Sequence, residues 1–215
     1  GVSALITNCA GCRNVAVGPS ALYNNTSGVR NQAFGGWALR RNTTGHNNTA
    51  SGYYALNCNT TAGDSVAYGH YALRHNTASS NTAVGAFALC ANTTADYNTA
   101  VGVEALKAQT TGISNVSVGY YSLVKSTTGA CNVAVGVQSG DEITSGLCNT
   151  LLGNFAGDNI TTGARNVIIG KSSHPSAADG TDQSVIGHDI SGKGNETFTA
   201  GGTGGVFNEN NTTAW

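Results

Sequence analysis

The segment NTAVGAFALCANTT, residues 81–94, decides the fold, because variants of it recur along the whole chain. Its glycine belongs to a column of thirteen: Gly1, Gly18, Gly35, Gly52, Gly69, Gly85, Gly102, Gly119, Gly136, Gly153, Gly170, Gly187 and Gly204. Neighbouring glycines in this column are 17 residues apart, except Gly69 and Gly85, which are 16 apart. Glycines in constant phase indicate a repeat protein in which each coil is one structural unit.

Other columns keep the same phase. Four residues before the glycine stand Asn14, Asn31, Asn48, Asn81, Asn98, Asn115, Asn132, Asn149 and Asn166. After the glycine come an Ala-Leu pair, as in Ala88-Leu89, and a polar triplet, as in Asn92-Thr93-Thr94. We predict that the asparagine column forms an amide ladder between coils. The glycines are predicted to hold a backbone conformation that a Cβ atom would forbid.

Short apolar segments between Gly- and Asn-rich breaks predict an all-β chain. Thr99-Ala100-Val101 and Val133-Ala134-Val135 are typical of strands, and 17 residues with two breaks cannot hold a pair of helices. The prediction is a β-solenoid or β-roll of about thirteen 17-residue coils with two short strands per coil. Residues 1–215 are predicted to form a single solenoid domain, in which 171–215 carry the more degenerate repeats.

Both faces of these strands are largely apolar. One face must fill the narrow interior, and the other needs a cover, either another copy of the chain or a partner surface. The alanine columns and the larger residues each make a plausible interior, so the sequence leaves open which face is inside. Aromatic residues two positions after the glycine fit an interior, a subunit interface or a sugar-stacking surface. They are Trp37, Tyr54, Tyr71, Phe87, Tyr121 and Phe155.

The repeat begins at Gly1 and runs to the last residues, with no segment at either end that resembles a cap. Open solenoid ends expose unpaired strand groups. We therefore expect self-association, either as a homo-oligomer, most simply a trimer, or as an end-to-end filament.

Composition argues against several other partners. Charged residues make up 10% of the chain and the net charge is −1, which predicts no nucleic-acid partner. No apolar run approaches the roughly 20 residues that span a bilayer, which predicts no membrane insertion. The five histidines occupy unrelated positions in the coil, so we expect neither an enzyme nor a cofactor. Asp141, Glu142 and Asp158 suggest either a calcium site or a solvated turn.

Two kinds of covalent modification are candidates. Cys131 and Cys148 share a column on adjacent coils, a separation that suits a disulfide, with free thiols as the alternative. Sequons in one column make candidate N-glycosylation sites, although asparagine and threonine are also ordinary turn residues. These sites are Asn25, Asn42, Asn59, Asn92 and Asn211. Six cysteines without metal-type spacing favour an oxidising, extracellular setting.

The core at 81–89, followed by Asn92-Thr93-Thr94, resembles repeats of bacteriophage tail-fibre proteins. It is also similar to the β-roll heads of trimeric autotransporter adhesins, whose coil carries an Asn-Ser-Val-Ala-Ile-Gly core. The resemblance covers residues 1–170 well and 171–215 loosely. It implies a trimeric, extracellular shaft that binds a cell-surface or glycan receptor. The coil here is longer than the adhesin coil.

The expected function is therefore a non-enzymatic structural fibre or adhesin shaft. The alternative is an ice-binding solenoid, because a column of threonines at strand spacing presents regular hydroxyls. That column comprises Thr26, Thr43, Thr60, Thr77, Thr93, Thr110, Thr127, Thr144 and Thr161. Adjacent threonines in the triplet are expected to point to opposite faces, which would deny the ice-binding alternative a two-rank plane.

Overall fold

The computed structural model describes residues 1–201 of the 215-residue chain, and they form a parallel β-solenoid. Twelve strands form one sheet in chain order. They are β1 (Val15–Val17), β2 (Gln32–Phe34), β3 (Thr49–Ser51), β4 (Val66–Tyr68), β5 (Thr82–Val84), β6 (Thr99–Val101), β7 (Val116–Val118), β8 (Val133–Val135), β9 (Thr150–Leu152), β10 (Val167–Ile169), β11 (Ser184–Gly187) and β12 (Phe198–Gly201). Residues 1–201 include no helix of a length and hydropathy that could cross a membrane.

The register keeps each sequence column in line. Val15 pairs with Gln32 and Ala16 with Ala33, so paired residues are 17 apart in the chain. The step shortens to 16 between Val66 and Thr82, as the glycine spacing predicts. From Gly1 to Gly187 the chain therefore makes about eleven turns.

The missing residue of the short coil is absorbed in a turn around Ser79. The backbone N–H of Ser79 donates to Asp96 Oδ1 of the next coil at 2.7 Å, and its hydroxyl accepts from Gly63 N at 3.2 Å. Side chains thus replace the backbone hydrogen bonds that the turn of a 17-residue coil would supply, and the sheet register is preserved on both sides.

The glycine column lies at the corner that ends each strand. From Gly18 to Gly170 its members have φ between 126° and 142°. A Cβ on Gly85 would lie 2.3 Å from the carbonyl oxygen of Gly102, so the stacked corners also leave no room for a side chain. Both the conformation and the close approach require glycine.

The last described turn is shorter than the sequence pattern indicates. β11 pairs with β12 so that Ser184 faces Phe198 and Gly187 faces Gly201, a step of 14 residues. Gly201 therefore occupies the position that the 17-residue period assigned to Gly204. Gly204 and the predicted thirteenth coil lie outside the described residues.

The predicted second strand of each coil is not found in residues 1–201, where each coil carries one strand. After the corner glycine every second residue has a left-handed backbone, as at Trp37 (φ 65°) and Leu39 (φ 49°). Strands need negative φ, so this segment becomes a run of turns. It still joins both neighbouring coils, because Trp37 N donates to Pro19 O at 2.9 Å and Leu39 N to Ala55 O at 3.0 Å.

The interior answers the question that the sequence left open. The middle residue of nearly every strand points inward, as does the Ala-Leu pair after most corners, and together they form the core, while the first and third strand residues point outward. Alanine dominates the strand column and leucine fills the space opposite it.

Two asparagine columns run through this interior. In the predicted ladder, Asn132 Nδ2 donates to Gly146 O at 2.8 Å, and Asn132 Oδ1 accepts from the backbone N–H of Asn149 at 3.0 Å. A second ladder begins each polar triplet, where Asn42 Nδ2 donates to Asn25 Oδ1 at 2.8 Å and to Gly45 O at 3.0 Å. These buried amides bond one coil to the next from within.

Two late coils rearrange the core without changing its plan. The leucine column gives way to Gly140 and Gly157, while the alanine of the strand column becomes Leu151. A Cβ on Gly140 would lie 2.6 Å from Leu151 Cδ1, and one on Gly157 would lie 2.7 Å from Leu151 Cδ2. The Leu151 side chain therefore fills the space that two leucines vacate.

This exchange predicts strong coupling between Gly140 and Leu151. Leu151→Ala leaves a cavity and should lower the free energy of unfolding by about 2–5 kcal/mol. Gly140→Leu overfills the same space and should cost about 1–3 kcal/mol. The double variant restores the arrangement of the other coils, so its loss should be smaller than the sum, as measured by denaturant unfolding followed by circular dichroism.

The control combines Leu151→Ala with Leu56→Ala, a core position several coils away, where the two losses should add. If the losses in the free energy of unfolding also add for Gly140→Leu and Leu151→Ala, Leu151 does not compensate for the missing leucine at position 140.

Candidate interaction face

The outer surface of the sheet is the most distinctive exposed feature of the solenoid. Strand residues alternate in direction, so an inward alanine leaves the first and third residues of each strand outside. We call these two columns of β1–β12 the outer sheet face. Several residues that directly follow a column glycine, among them Tyr53, Val103 and Tyr120, extend this exposed apolar surface past the corner.

The third-residue column of the outer sheet face is almost entirely apolar. It comprises Val17, Phe34, Ser51, Tyr68, Val84, Val101, Val118, Val135, Leu152, Ile169, Ile186 and Ala200. Large side chains here are substantially exposed, with 54% of Val17, 57% of Tyr68 and 40% of Ile186 accessible to solvent. In an isolated chain these groups face water, which is unusual for a contiguous apolar column.

Charge is absent from this surface over most of its length. Between Val15 and Asn154, the two columns and the corner column contain no Asp, Glu, Lys or Arg. The whole surface from β1 to β12 spans eleven coil spacings of about 4.8 Å and is five residues wide, which gives an area on the order of 800 Å². That is about the share that each partner contributes to a standard protein–protein interface.

The aromatic column forms a ladder beside this face. Rings of Trp37, Tyr54, Tyr71 and Phe87 stack at centroid distances of 5.4, 5.3 and 5.4 Å, with planes within 12° of parallel. Arg74 lies 4.7 Å from the ring centroid of Tyr71, and Arg40 lies 4.4 Å from that of Trp37. Neighbouring rings and guanidinium groups thus cover these ring faces, which favours coil-to-coil packing over sugar stacking for this column.

The threonine triplets line an exposed turn on a different part of the coil. Thr93 and Thr94 are both exposed, so the prediction that adjacent threonines point to opposite faces does not hold there. The first threonine uses its hydroxyl within the fold, since Thr93 Oγ1 donates to Thr110 O at 3.0 Å and Thr110 Oγ1 to Thr127 O at 2.9 Å. These threonine hydroxyls therefore form hydrogen bonds between successive coils.

The candidate glycosylation sites lie inside the solenoid. Asn25, Asn42, Asn59 and Asn92 are fully buried, and their Nδ2 atoms donate hydrogen bonds in the second ladder. A glycan on Nδ2 is incompatible with that position, so the sequon prediction does not fit the folded coil; Asn211 lies outside the described residues. Sequence reasoning missed this ladder, because it treated these asparagines as glycosylation candidates or ordinary turn residues.

The predicted disulfide is not formed, because Cys131 and Cys148 are exposed free thiols in the structure. Both have φ of 58° and equivalent backbone hydrogen bonds, so their Cα–Cβ bonds run side by side. In such a column the Cβ atoms stay about one strand spacing apart, about 4.8 Å. A disulfide needs Cβ atoms about 3.5–4.5 Å apart, so closing the bond would pull the two coils out of register.

The acidic group around Asp141 is engaged with neighbouring side chains. Glu142 pairs with Lys125 at 2.5 Å, and Asp141 accepts from Gln138 Nε2 at 3.1 Å. In the described part of the chain, no three or more His, Cys, Asp or Glu side chains are placed to hold a metal ion. Burial raises the pKa of Asp141, the hydrogen bond from Gln138 partly opposes this, and the negative charges of Glu142 and Asp158 add to the increase.

Comparisons with protein-family models, with curated proteins and with solved structures returned no match. The function of this chain must therefore be inferred from its own surface.

The raised pKa of Asp141 predicts a pH-dependent effect of its neutralisation. A carboxyl whose pKa is raised in the fold favours folding when protonated, and this contribution is lost as pH rises through the folded-state pKa. Asp141→Asn should therefore raise the melting temperature at pH 7, and the gain should vanish below 3.8, the ordinary pKa of an aspartate side chain. Thermal unfolding across this pH range measures both.

Glu104→Gln is the matched control, because it removes a carboxylate that pairs with Lys107 and does not act on Asp141, so it should give no gain at pH 7. A lower melting temperature for Asp141→Asn at pH 7 would show that burial does not disfavour its charge.

Proposed function

We propose that this chain is a non-enzymatic structural fibre or adhesin shaft that acts outside the cell and self-associates through the outer sheet face. The observation that carries the proposal is the exposed, charge-free apolar column that follows the sheet from Val17 to Ile186. Apolar surface of this extent marks an interaction site in a folded protein.

Regular spacing favours a second copy of the same chain as the occupant. The outward side chains repeat at about 4.8 Å over the sheet, a period that another copy matches at every coil. Valine and isoleucine dominate the column, and their stiff χ1 angles mean that little side-chain entropy is lost when they are covered. The surface is also preformed on a hydrogen-bonded sheet, which lowers the cost of association.

The resemblance to tail-fibre and adhesin repeats extends this proposal. Three copies placed side by side in the same direction would bring three outer sheet faces to a common axis. In that arrangement the charged turns stay on the outside, where a cell-surface or glycan receptor is the proposed second partner. Neither nucleic acid nor a membrane interior is a proposed partner, because the face carries no positive charge and the apolar strip is narrow.

Charge placed on the face tests self-association. Val84→Lys, Val101→Lys and Val135→Lys together put three ammonium groups into the proposed interface while the interior stays unchanged. We expect this variant to be monomeric where the wild-type protein is oligomeric, since an unpaired buried charge opposes association strongly. Multi-angle light scattering gives the mass, and circular dichroism checks that the fold persists.

The matched control carries Thr94→Lys, Thr111→Lys and Thr128→Lys, which add the same charges at similar heights on the exposed threonine turn. This variant should keep the wild-type mass. A wild-type protein that is monomeric at micromolar concentration, or equal dissociation of both variants, would refute assembly through the outer sheet face.

Ice binding is the second candidate, favoured by the exposure of both threonines in triplets such as the one that holds Thr93 and Thr94. Against it, the first threonine hydroxyl is committed to the neighbouring coil. Thermal hysteresis, measured on the wild type, the triple valine-to-lysine variant and the triple threonine-to-lysine variant, separates the two proposals. Hysteresis that survives in the valine-to-lysine variant and disappears with the threonine-to-lysine changes would establish ice binding; its absence in wild type and both variants supports the fibre.

A further inference from the structure

The two exposed thiols of Cys131 and Cys148 form a pair that neither the fold nor the outer sheet face requires. They lie in the column that precedes the ladder asparagine, one coil apart. Cys131 N donates to Ile113 O at 3.0 Å and Cys148 N donates to Ala130 O at 3.0 Å, so the two residues have the same place in successive coils. Ser114 before them and Arg165 after them share this left-handed backbone, with φ of 60° and 57°.

We propose that Cys131 and Cys148 form a two-thiolate site for a soft monovalent metal ion, Cu(I) in linear coordination. Thiolate sulfur selects soft ions of this kind. Zinc–thiolate bonds are about 2.3 Å long and two-coordinate Cu(I)–thiolate bonds are slightly shorter, so a linear centre places its two sulfurs somewhat less than about 4.6 Å apart. The sheet holds successive coils about 4.8 Å apart, so parallel cysteine side chains meet that span with little adjustment.

The same spacing separates this site from its alternatives. A disulfide needs the two side chains closer than the register allows, as described above. Zinc in a closed site takes four ligands, and within residues 1–201 no cluster of three or more metal-binding side chains is present. A two-coordinate ion is the case in which two ligands suffice.

Charge balance is consistent with an anionic complex. Binding follows Cu⁺ + 2 RSH → [Cu(SR)₂]⁻ + 2 H⁺, so two S–H bonds break, two Cu–S bonds form, and no oxidation state changes. The Arg165 guanidinium stands next in the column. The pKa of Arg165 is raised first by its hydrogen bond and ion pair with Asp182, and to a lesser extent by the charge of Cys148. A guanidinium that is already paired with Asp182 therefore lies close to the thiolate that binding would create.

The experiment uses the full chain, reduced and under anaerobic conditions, with Cys9, Cys12, Cys58 and Cys90 replaced by serine so that only one thiol pair remains. Cu(I) is supplied as its acetonitrile complex in competition with bicinchoninate. We expect one copper per chain, two protons released, and binding that strengthens with pH. Cys148→Ser should weaken binding at least about tenfold, since losing even a supporting group of a metal site can cost that much.

Moving one cysteine along the column supplies the matched controls. Cys148→Ser with Ser114→Cys keeps two thiols one coil apart and should retain the affinity. Cys148→Ser with Arg165→Cys places them two coils apart, about 9.6 Å, and should bind no better than the single cysteine. If the pair one coil apart and the pair two coils apart bind Cu(I) equally, the proposal is wrong.

If the four background serines prevent folding, the wild-type chain and its Cys148→Ser variant are compared directly. The copper stoichiometry should then fall by one equivalent. An unchanged stoichiometry would overturn the proposal.

Discussion

In-register stacking of successive coils is the constraint on which the rest of this structure depends. Each coil has only a strand of three or four residues, too short to hold a sheet together on its own hydrogen bonds. Two interior amide ladders add bonds at most steps. Asn42 and Asn132, for example, each accept a hydrogen bond from the next coil and donate one to a turn carbonyl. A buried amide that loses its partner costs about 1–3 kcal/mol, so a shift of register by one residue is penalised at each coil.

The ladders also show where the stack tolerates change. Removal of one residue near Ser79 interrupts the second ladder, and Asn59 Oδ1 is left without a hydrogen-bond donor. Asn76 restores the series on the far side by accepting from Asn92 Nδ2 at 2.6 Å. Further along, the second ladder ends as its column changes to Gln109, Ser126 and Ile143. The predicted ladder continues through these coils, so one polar column is enough to hold the register.

Sequence periodicity was sufficient to predict the all-β solenoid, the glycine corner and the first amide ladder, because each depends on a residue type repeated in one column. It could not predict the single strand per coil. Leucine and tryptophan ordinarily avoid left-handed φ, yet Leu39 and Trp37 adopt it, because cross-coil hydrogen bonds and burial outweigh the local preference. The outer face could have been identified from the alanine column, since only the smallest side chain fits opposite leucine in so thin an interior.

A thin interior explains why large apolar residues lie outside, but it does not explain which ones. Strand propensity alone would accept threonine as readily as valine in either outward column. The first-residue column does use both, with Thr49, Thr82, Thr99 and Thr150 among its members. The third-residue column has no threonine and only one serine among its twelve positions. Both columns belong to the same strands and experience the same backbone, so propensity cannot separate them. A covering surface that buries the third-residue column more deeply than the first-residue column would account for the difference. This asymmetry favours a covering partner whose closest approach is at the glycine corner, where the adjacent Val103 and Tyr120 would also be covered.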